Sequence, residues 1–480
     1  MHPSHQQLAN LIYERRYGEA ERLGKIHVQH YPIDGQGWVL LGEALLMQGF
    51  GYAASQLFNR AYLLDPEAKW MPQMQLELER APRGEHCPDI EQLLQVPAKT
   101  VAAAIIVKNE ERCIERCLNS IQSAVDEIIV VDSGSTDRTL DIIRSYSNVK
   151  LYQVEWKDDF AALRNEALSR VTSEWVFWLD ADEWLISEDA ENIRKVAGMF
   201  DLNLPFIPAL QPCLINHING TAIIEHSVAR MFPTSKGLYY SGRIHEQIAT
   251  EKEGIFTSNV LHKPVRIRLN HDGYESSVKA DKDKIQRNLR LLKLMAEEEP
   301  TNPGWWYFLG RESMELGQHD ESLAYFDKVI EYGANNPRFG RMLEIHMLMG
   351  RIYLSQNRLD LAEQCYRKAF ALHPDYPDAH FQMAYVATLQ AQLLLKKAME
   401  HAQLSSRGFD TYRGLVGASY DIHLWKADAL VADLLVHQGQ LYEGRKVLQE
   451  VRNRLPDSGV LDNKFDFIRR QQRLLNLHLR

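Results

Sequence analysis

Two carboxylates one residue apart, Asp180 and Asp182 around Ala181, follow the apolar run WVFWL. Where a chain bends, side chains at i and i+2 can approach one divalent ion. Mg²⁺ and Mn²⁺ favour oxygen ligands and bridge to substrate phosphates. An ion held there neutralises a diphosphate leaving group as the bond to it breaks. A D-x-D triplet alone is commonly a solvated acidic turn, and its place at the end of a strand-like run is what gives this one weight. Other polar residues fall at similar places. Asn109 and Glu110 follow VAAAIIV, and Asp132 closes DEIIVVD and leads into SGSTD. Asp132 can accept hydrogen bonds from a base or ribose, or can cap the next helix. Arg164 can pair with a nucleotide phosphate or with a surface carboxylate. In GRIHEQ, His245 is a candidate metal ligand or phosphate donor and Glu246 a candidate general base. His271 and Tyr274, in LNHDGY, are further candidates. Trp156 and Trp184 are candidates to line a ligand site, whereas Trp178 reads as core.

These residues need a scaffold, and its pattern starts near Thr100. Short apolar runs at 101–107, 126–132, 149–154 and 175–183 alternate with helix-like segments at 109–125, 137–147 and 160–171. Alternating strand and helix with continuously apolar strands predicts an α/β domain on a parallel sheet. In such sheets ligands sit at the carboxyl ends of strands. No G-x-G-x-x-G and no G-x-x-x-x-G-K-[ST] is present, which removes the main support for a dinucleotide-binding or P-loop reading.

Both flanks are different material. Pro32 and Pro66 are 34 residues apart, as are Ala20 and Ala54. Trp38, Leu41, Gly42, Ala54, Phe58, Ala61 and Pro66 fall at the spacing of a tetratricopeptide repeat. Small residues let antiparallel helices approach, large ones fill the gaps, and proline closes the unit. The pattern returns with Trp306, Leu309, Gly310 and Phe326, then with Gly350, Tyr353, Ala362, Tyr366, Ala369 and Pro374. A weaker unit spans Trp425 to Pro456, with Ala432 and Leu448 in place. The expected layout is helical repeats over 1–85, an α/β domain over 98–275, a connecting helix over 276–300 and helical repeats over 301–480. Stacked repeats present concave surfaces that bind polypeptides.

Composition sets limits. The chain has 480 residues, 45% hydrophobic and 25% charged, with a formal net charge of −9. That is globular composition without the basic excess of a nucleic-acid binder. The five cysteines are odd in number and scattered, unlike a disulfide framework. Cys113 and Cys117 can share a helix face but lack a second Cys/His pair at zinc spacing. No run has the length and apolarity of a signal peptide or a membrane span, so the expected location is the cytoplasm.

With the motifs in place, a resemblance becomes specific. IIVKNEERCIERCLNSI, DEIIVVDSGSTDRTLDII, WKDDFAALRNEAL and SEWVFWLDADEWL, in that order, resemble a family-two glycosyltransferase of the GT-A fold, and VARMFP, YYSGRIHEQI and LNHDGY continue the match. The stretch resembles bacterial protein and peptide glycosyltransferases, both the sublancin-type S-glycosyltransferases and repeat-fused flagellin O-glycosyltransferases. The N-terminal repeat pair departs from the sublancin type. Lipopolysaccharide-core glycosyltransferases have similar strand motifs.

The resemblance implies a metal-dependent, inverting transfer of sugar from a nucleotide diphosphate sugar, UDP-linked, with Mg²⁺ or Mn²⁺. It implies that Asp132 contacts the nucleoside with Glu110 beside it. Asp180, Ala181 and Asp182 would hold metal and diphosphate, and His245 and Glu246 would face donor and acceptor. The implied acceptor is a Ser/Thr or Cys side chain of a flagellin or bacteriocin precursor gripped by the repeats. A glycan- or lipid-directed transferase and a repeat scaffold with an inactive domain are the competing readings.

Overall fold

A computed structural model describes residues 3–478 apart from 203, 219, 273–281, 409–410 and 457–458. Tyr274 lies outside the described residues. The structure divides into two compact units, Met1–Phe339 and Gly340–Arg480.

The first unit opens with helices α1 (Pro3–Tyr13), α2 (Tyr17–His30), α3 (Gly35–Met47), α4 (Gly51–Leu64), α5 (Met71–Arg80) and α6 (Pro88–Leu94). There follow β1 (Val101–Val107), α7 (Ile114–Ile121), β2 (Glu127–Asp132), α8 (Thr139–Arg144), β3 (Val149–Gln153), α9 (Phe160–Arg170), β4 (Trp175–Asp180), β5 (Glu183–Leu185) and α10 (Ala190–Phe200). Strands β6 (Ile207–Ile218), β7 (Thr221–Glu225), β8 (Met231–Pro233), β9 (Leu238–Ser241), β10 (Gln247–Thr250) and β11 (Val260–His271) come next. The unit closes with α11 (Lys282–Glu298), α12 (Pro303–Glu315) and α13 (His319–Gly333).

The large sheet runs β3-β2-β1-β4-β8-β6-β11-β5, with β7 added beside β6, and β9 and β10 form a separate hairpin. Strands β1 to β4 are parallel, as their continuous apolar runs predict. Beyond them the sheet is mixed: β8 is antiparallel to β4 and to β6, and β5 is antiparallel to β11. The expected fourth strand is therefore broken. The chain bends at Ala181–Asp182, and β5 leaves β4 for the far edge of the sheet.

Helices cover both faces. Ala103 and Ile105 pack with Ile114, Cys117, Ile193 and Val196 on one side. Ala104 packs with Ala161, Leu163 and Ala167 on the other. The N-terminal helices join the first core through residues such as Leu57 and Leu64. The α11–α12 pair forms a third cluster in which Trp305 and Leu309 meet Leu292, Met295 and Ile244.

The second unit is helical: α14 (Met342–Ser355), α15 (Leu359–Leu372), the long α16 (Pro377–Gly408), α17 (Ala427–His437), α18 (Leu441–Arg454) and α19 (Asp462–His478). A shared device marks the repeats in both units. A Cβ at Gly42, Gly310 or Gly350 would lie 2.6, 2.4 or 2.4 Å from an atom of Phe58, Phe326 or Tyr366. Each glycine thus lets an aromatic from the next helix lie against the backbone. No described helix is long and apolar enough to cross a membrane.

Candidate functional site

The registers Val107↔Asp132 and Ile106↔Asp180 put these two carboxylates at the same end of the sheet, on either side of β1. The turns that follow are stitched together. Asn109 adopts a left-handed φ of 57°, its backbone N–H donates to Ser135 Oγ (2.9 Å), and its Oδ1 accepts from Thr136 N (2.7 Å). Glu110 N donates to Thr139 Oγ1 (2.7 Å). Asp132 is fully buried and accepts from the backbone N–H groups of Gly134 (3.0 Å) and Ser135 (3.2 Å). Its carboxylate thus shapes the SGSTD turn, in which Gly134 takes φ 101°.

Asp180 is clamped by two arginines. Arg164, on α9, donates through Nη2 to Asp180 Oδ1 (3.1 Å), and Arg230, just before β8, donates through Nη2 to Oδ2 (2.6 Å). Arg230 also reaches Glu183 Oε1 (2.8 Å), while Glu183 Oε2 accepts from Asp180 N (2.9 Å). Arg164 Nε donates to Glu246 Oε1 (2.5 Å), and its guanidinium lies over the rings of Trp178 and Tyr240. Three carboxylates therefore share two guanidiniums in a largely buried network. Burial works against the charged form of Asp180, but Arg230 and Arg164 outweigh it and hold its carboxyl well below the usual range. Burial pushes the Glu183 carboxyl up to about 7, with Asp180 adding to the effect against the pull of Arg230.

Asp182, past the bend, faces elsewhere. Its Oδ2 lies 3.3 Å from His271 Nε2, and His271 Nδ1 bonds Asn216 Oδ1 (2.8 Å). Burial lowers the His271 pKa, but the hydrogen bond and charge of Asp182, with Glu183 and Asp180 behind it, give a net upward shift. Glu110 sits near Asp182. Burial pushes its carboxyl up; the Cys113 thiol, which donates to Oε2 at 3.1 Å, opposes this, and the charge of Asp182 adds to it.

His245 turns the other way. In a left-handed conformation (φ 51°), it bonds Glu312 Oε1 on α12 through Nε2 (2.9 Å) and stacks on Phe308. Asp180, Asp182 and His245 do not converge on one point. Among the described residues, the group of three or more ligand atoms within 4.8 Å of one another is His5, His27 and Asp34. A divalent cation can take most of its ligands from diphosphate oxygens and water. Asp182 Oδ2 and His271 Nε2, 3.3 Å apart, suit neighbouring positions around such an ion, so the residues present fit one. The aromatics divide similarly. Trp178 is buried core, Trp156 packs on Phe160, and Trp184 lies beneath the Arg116 guanidinium (3.6 Å).

Sequence reasoning assigned no role to Arg230, Glu183 or Asn216. Arg230 stands in VARMFP and Glu183 in LDADEWL. A buried-type charge inside an apolar run was the available signal for both.

Residues 103–198 match the model of glycosyl transferase family 2. Residues 306–336 match a tetratricopeptide repeat model, and 350–388 a second TPR repeat model. The chain carries a family-two glycosyltransferase domain fused to tetratricopeptide repeats. It is 33% identical over 235 residues to the SPbeta prophage-derived glycosyltransferase SunS of Bacillus subtilis, covering 48% of this chain and 53% of SunS. It is 44% identical over 276 residues to a TPR repeat-containing protein of Synechococcus elongatus, covering 56% and 65% of the two chains. A third relative is the lipopolysaccharide core biosynthesis glycosyltransferase LpsC of Rhizobium meliloti, 29% identical over 175 residues, 35% of this chain and 64% of LpsC. The match thus spans about half the length of SunS.

Proposed function

We propose that this chain is an inverting glycosyltransferase that moves sugar from a UDP-linked donor to a Ser/Thr or Cys side chain of a bacterial polypeptide. The observation that carries the reading is the row of polar groups at the carboxyl ends of β1, β2 and β4, within the segment matched by the glycosyltransferase family. In this reading residues 98–275 do the chemistry, and the repeats over 1–85 and 301–480 hold the acceptor.

Asp132 and Glu110 frame the nucleoside end of the cleft. Asp182, with His271, would hold Mg²⁺ or Mn²⁺, which would neutralise charge on the leaving diphosphate. Asp180 keeps the DAD bend in place through Arg164 and Arg230. The acceptor oxygen attacks the anomeric carbon as the bond from that carbon to the diphosphate oxygen breaks on the opposite face. The acceptor proton passes to Glu246, whose Oε1 is fixed by Arg164. Such a base contributes about 10²–10⁴-fold.

The test incubates the protein and Mn²⁺ with UDP-sugars and with flagellin or bacteriocin-precursor acceptors, followed by intact mass and site mapping. A sugar added to one polypeptide side chain is the expected result. The similarity to LpsC favours a glycan acceptor instead. Efficient extension of a saccharide or lipid-linked sugar, with no polypeptide modified, would establish that second reading.

A further inference from the structure

The strongest convergence of metal-binding side chains among the described residues lies outside the sheet, in the N-terminal helices. His5 comes from α1, His27 from α2, and Asp34 is the residue that enters α3. His5 Nε2 and His27 Nε2 approach the same carboxylate oxygen, Asp34 Oδ2, at 2.5 and 2.6 Å. Both imidazoles are buried, whereas the Asp34 side chain keeps about a quarter of its surface open. We propose that His5, His27 and Asp34 bind a divalent transition-metal ion, Zn²⁺ in the first instance, which clips α1 to the next two helices.

Four independent features support the site. Asp34 stands at a helix N-cap, where aspartate ordinarily accepts from the first free N–H groups. Here its side chain makes no capping bond and turns to the imidazoles instead. The far nitrogen of His27, Nδ1, is 2.8 Å from Ser4 Oγ, the outer contact that fixes the ring of a metal-binding histidine. Gly37 makes room: a Cβ there would stand 2.5 Å from His27 Cδ2, so only glycine admits the ring in this position. Finally, the donor set is right. Two imidazole nitrogens and one carboxylate oxygen, with a solvent-facing side left for water, are a zinc set. Around an ion with bonds of about 2.0–2.2 Å the donors would stand roughly 3.3 Å apart. Each imidazole nitrogen reaches that spacing from Asp34 Oδ2 by moving less than about 1 Å.

The location explains what such an ion would do. α1 contributes little apolar surface: Leu8 and Leu11 meet Ala20, Leu40 and Ala44 in a small cluster separate from the sheet core. An ion joining three successive elements would hold that helix where packing alone is thin, and would stabilise the folded chain by mass action.

The test uses untagged full-length protein, stripped with chelator, dialysed and loaded with Zn²⁺ alone. About one equivalent should be retained, the melting temperature should rise, and α1 should gain hydrogen-exchange protection. Co²⁺ loading should give the absorption bands of a low-symmetry nitrogen–oxygen site. His5→Gln and His27→Gln should weaken Zn²⁺ binding on the order of 10²-fold, and Asp182→Asn should leave it intact, separating this site from the sheet. Should His27→Gln not fold, Asp34→Asn, which keeps the side-chain shape, and the Co²⁺ spectrum of the unaltered protein decide. Folded protein that retains no Zn²⁺ and shows no Co²⁺ bands overturns the proposal, as does undiminished binding in a His5→Gln/His27→Gln double variant; the cluster is then a hydrogen-bonded one.

Discussion

His271 Nε2 stands 3.3 Å from Asp182 Oδ2, because His271 ends β11 opposite Glu183 of β5, the residue that follows Asp182. Asn216 fixes the opposite ring nitrogen, so the imidazole has one orientation. In our reading this pair, rather than both carboxylates of the DAD triplet, supplies the protein ligands to the cation. Asp182→Asn should lower sugar transfer by at least about 10²-fold while leaving the fold intact. His271→Gln should raise the Mn²⁺ concentration needed for half-maximal rate. A metal titration of donor turnover reads both, and full activity of Asp182→Asn in chelator would contradict the assignment.

Glu246→Gln should separate chemistry from binding. Turnover should fall by about 10²–10⁴-fold, and donor affinity, measured by calorimetry with UDP, should change much less. An unchanged kcat, or a product that retains the anomeric configuration, removes Glu246 as the base.

Arg230 is the structural keystone of the charge network, bonded to both Asp180 and Glu183. Arg230→Met leaves the buried Glu183 and the partly exposed Asp180 without that partner. Breaking a buried pair from one side costs about 3–5 kcal/mol, so urea unfolding should shift by that amount. Arg230→Met/Glu183→Gln should recover part of the loss. Equal stability of Arg230→Met and the unaltered protein would show that the network is not held by this residue.

Thiol chemistry should follow burial. Burial is the first cause that pushes Cys213 up to about 12. Burial also raises Cys113 and Cys117, with Glu110 and Glu183 respectively adding to it. A raised pKa means a smaller thiolate fraction at any pH below it, and thiolate is the reactive form. At pH 8 these three should resist iodoacetamide in the folded protein, with Cys87, the most accessible of the five, labelled first. Mass mapping of timed samples gives the order; Cys213 reacting as fast as Cys87 would be the contrary result.

The division after Phe339 defines where to cut. A chain ending at Phe339 keeps Phe326 against Gly310 and the α12 cluster complete, which a cut near residue 315 would not. It should fold, bind UDP and hydrolyse donor slowly, and it should lose most transfer to a polypeptide acceptor. Undiminished transfer by the shortened chain would show that residues 340–480 do not hold the acceptor.

The first four strands and their helices were legible because continuous apolar runs separated by polar turns admit few other arrangements. The repeats were legible because Gly42–Phe58 and Gly350–Tyr366 are local contacts with a fixed spacing. The strand break after Asp180 was hidden: the acidic end of WVFWLDADE reads as one strand until β11 is known to take β5 as its partner. The orientation of site residues was hidden for a related reason. Arg164 meets Glu246 across 82 positions and Arg230 meets Asp180 across 50, and no periodicity reports a pairing at such range. The D-x-D spacing marked two acids side by side, yet spacing does not say that one carboxylate faces arginines and the other a histidine.

His245 and Glu246 are consecutive residues that grip different bodies. One holds Glu312 on α12, and the other holds Arg164, which in turn holds Asp180. Gly242, at φ 105°, lets the same loop lie close to Trp305 and Met295, and Arg243 O receives the N–H of Phe160 at the start of α9 (2.9 Å). The loop therefore couples α12 to the acidic centre through a single peptide link, so a shift of one is passed directly to the other.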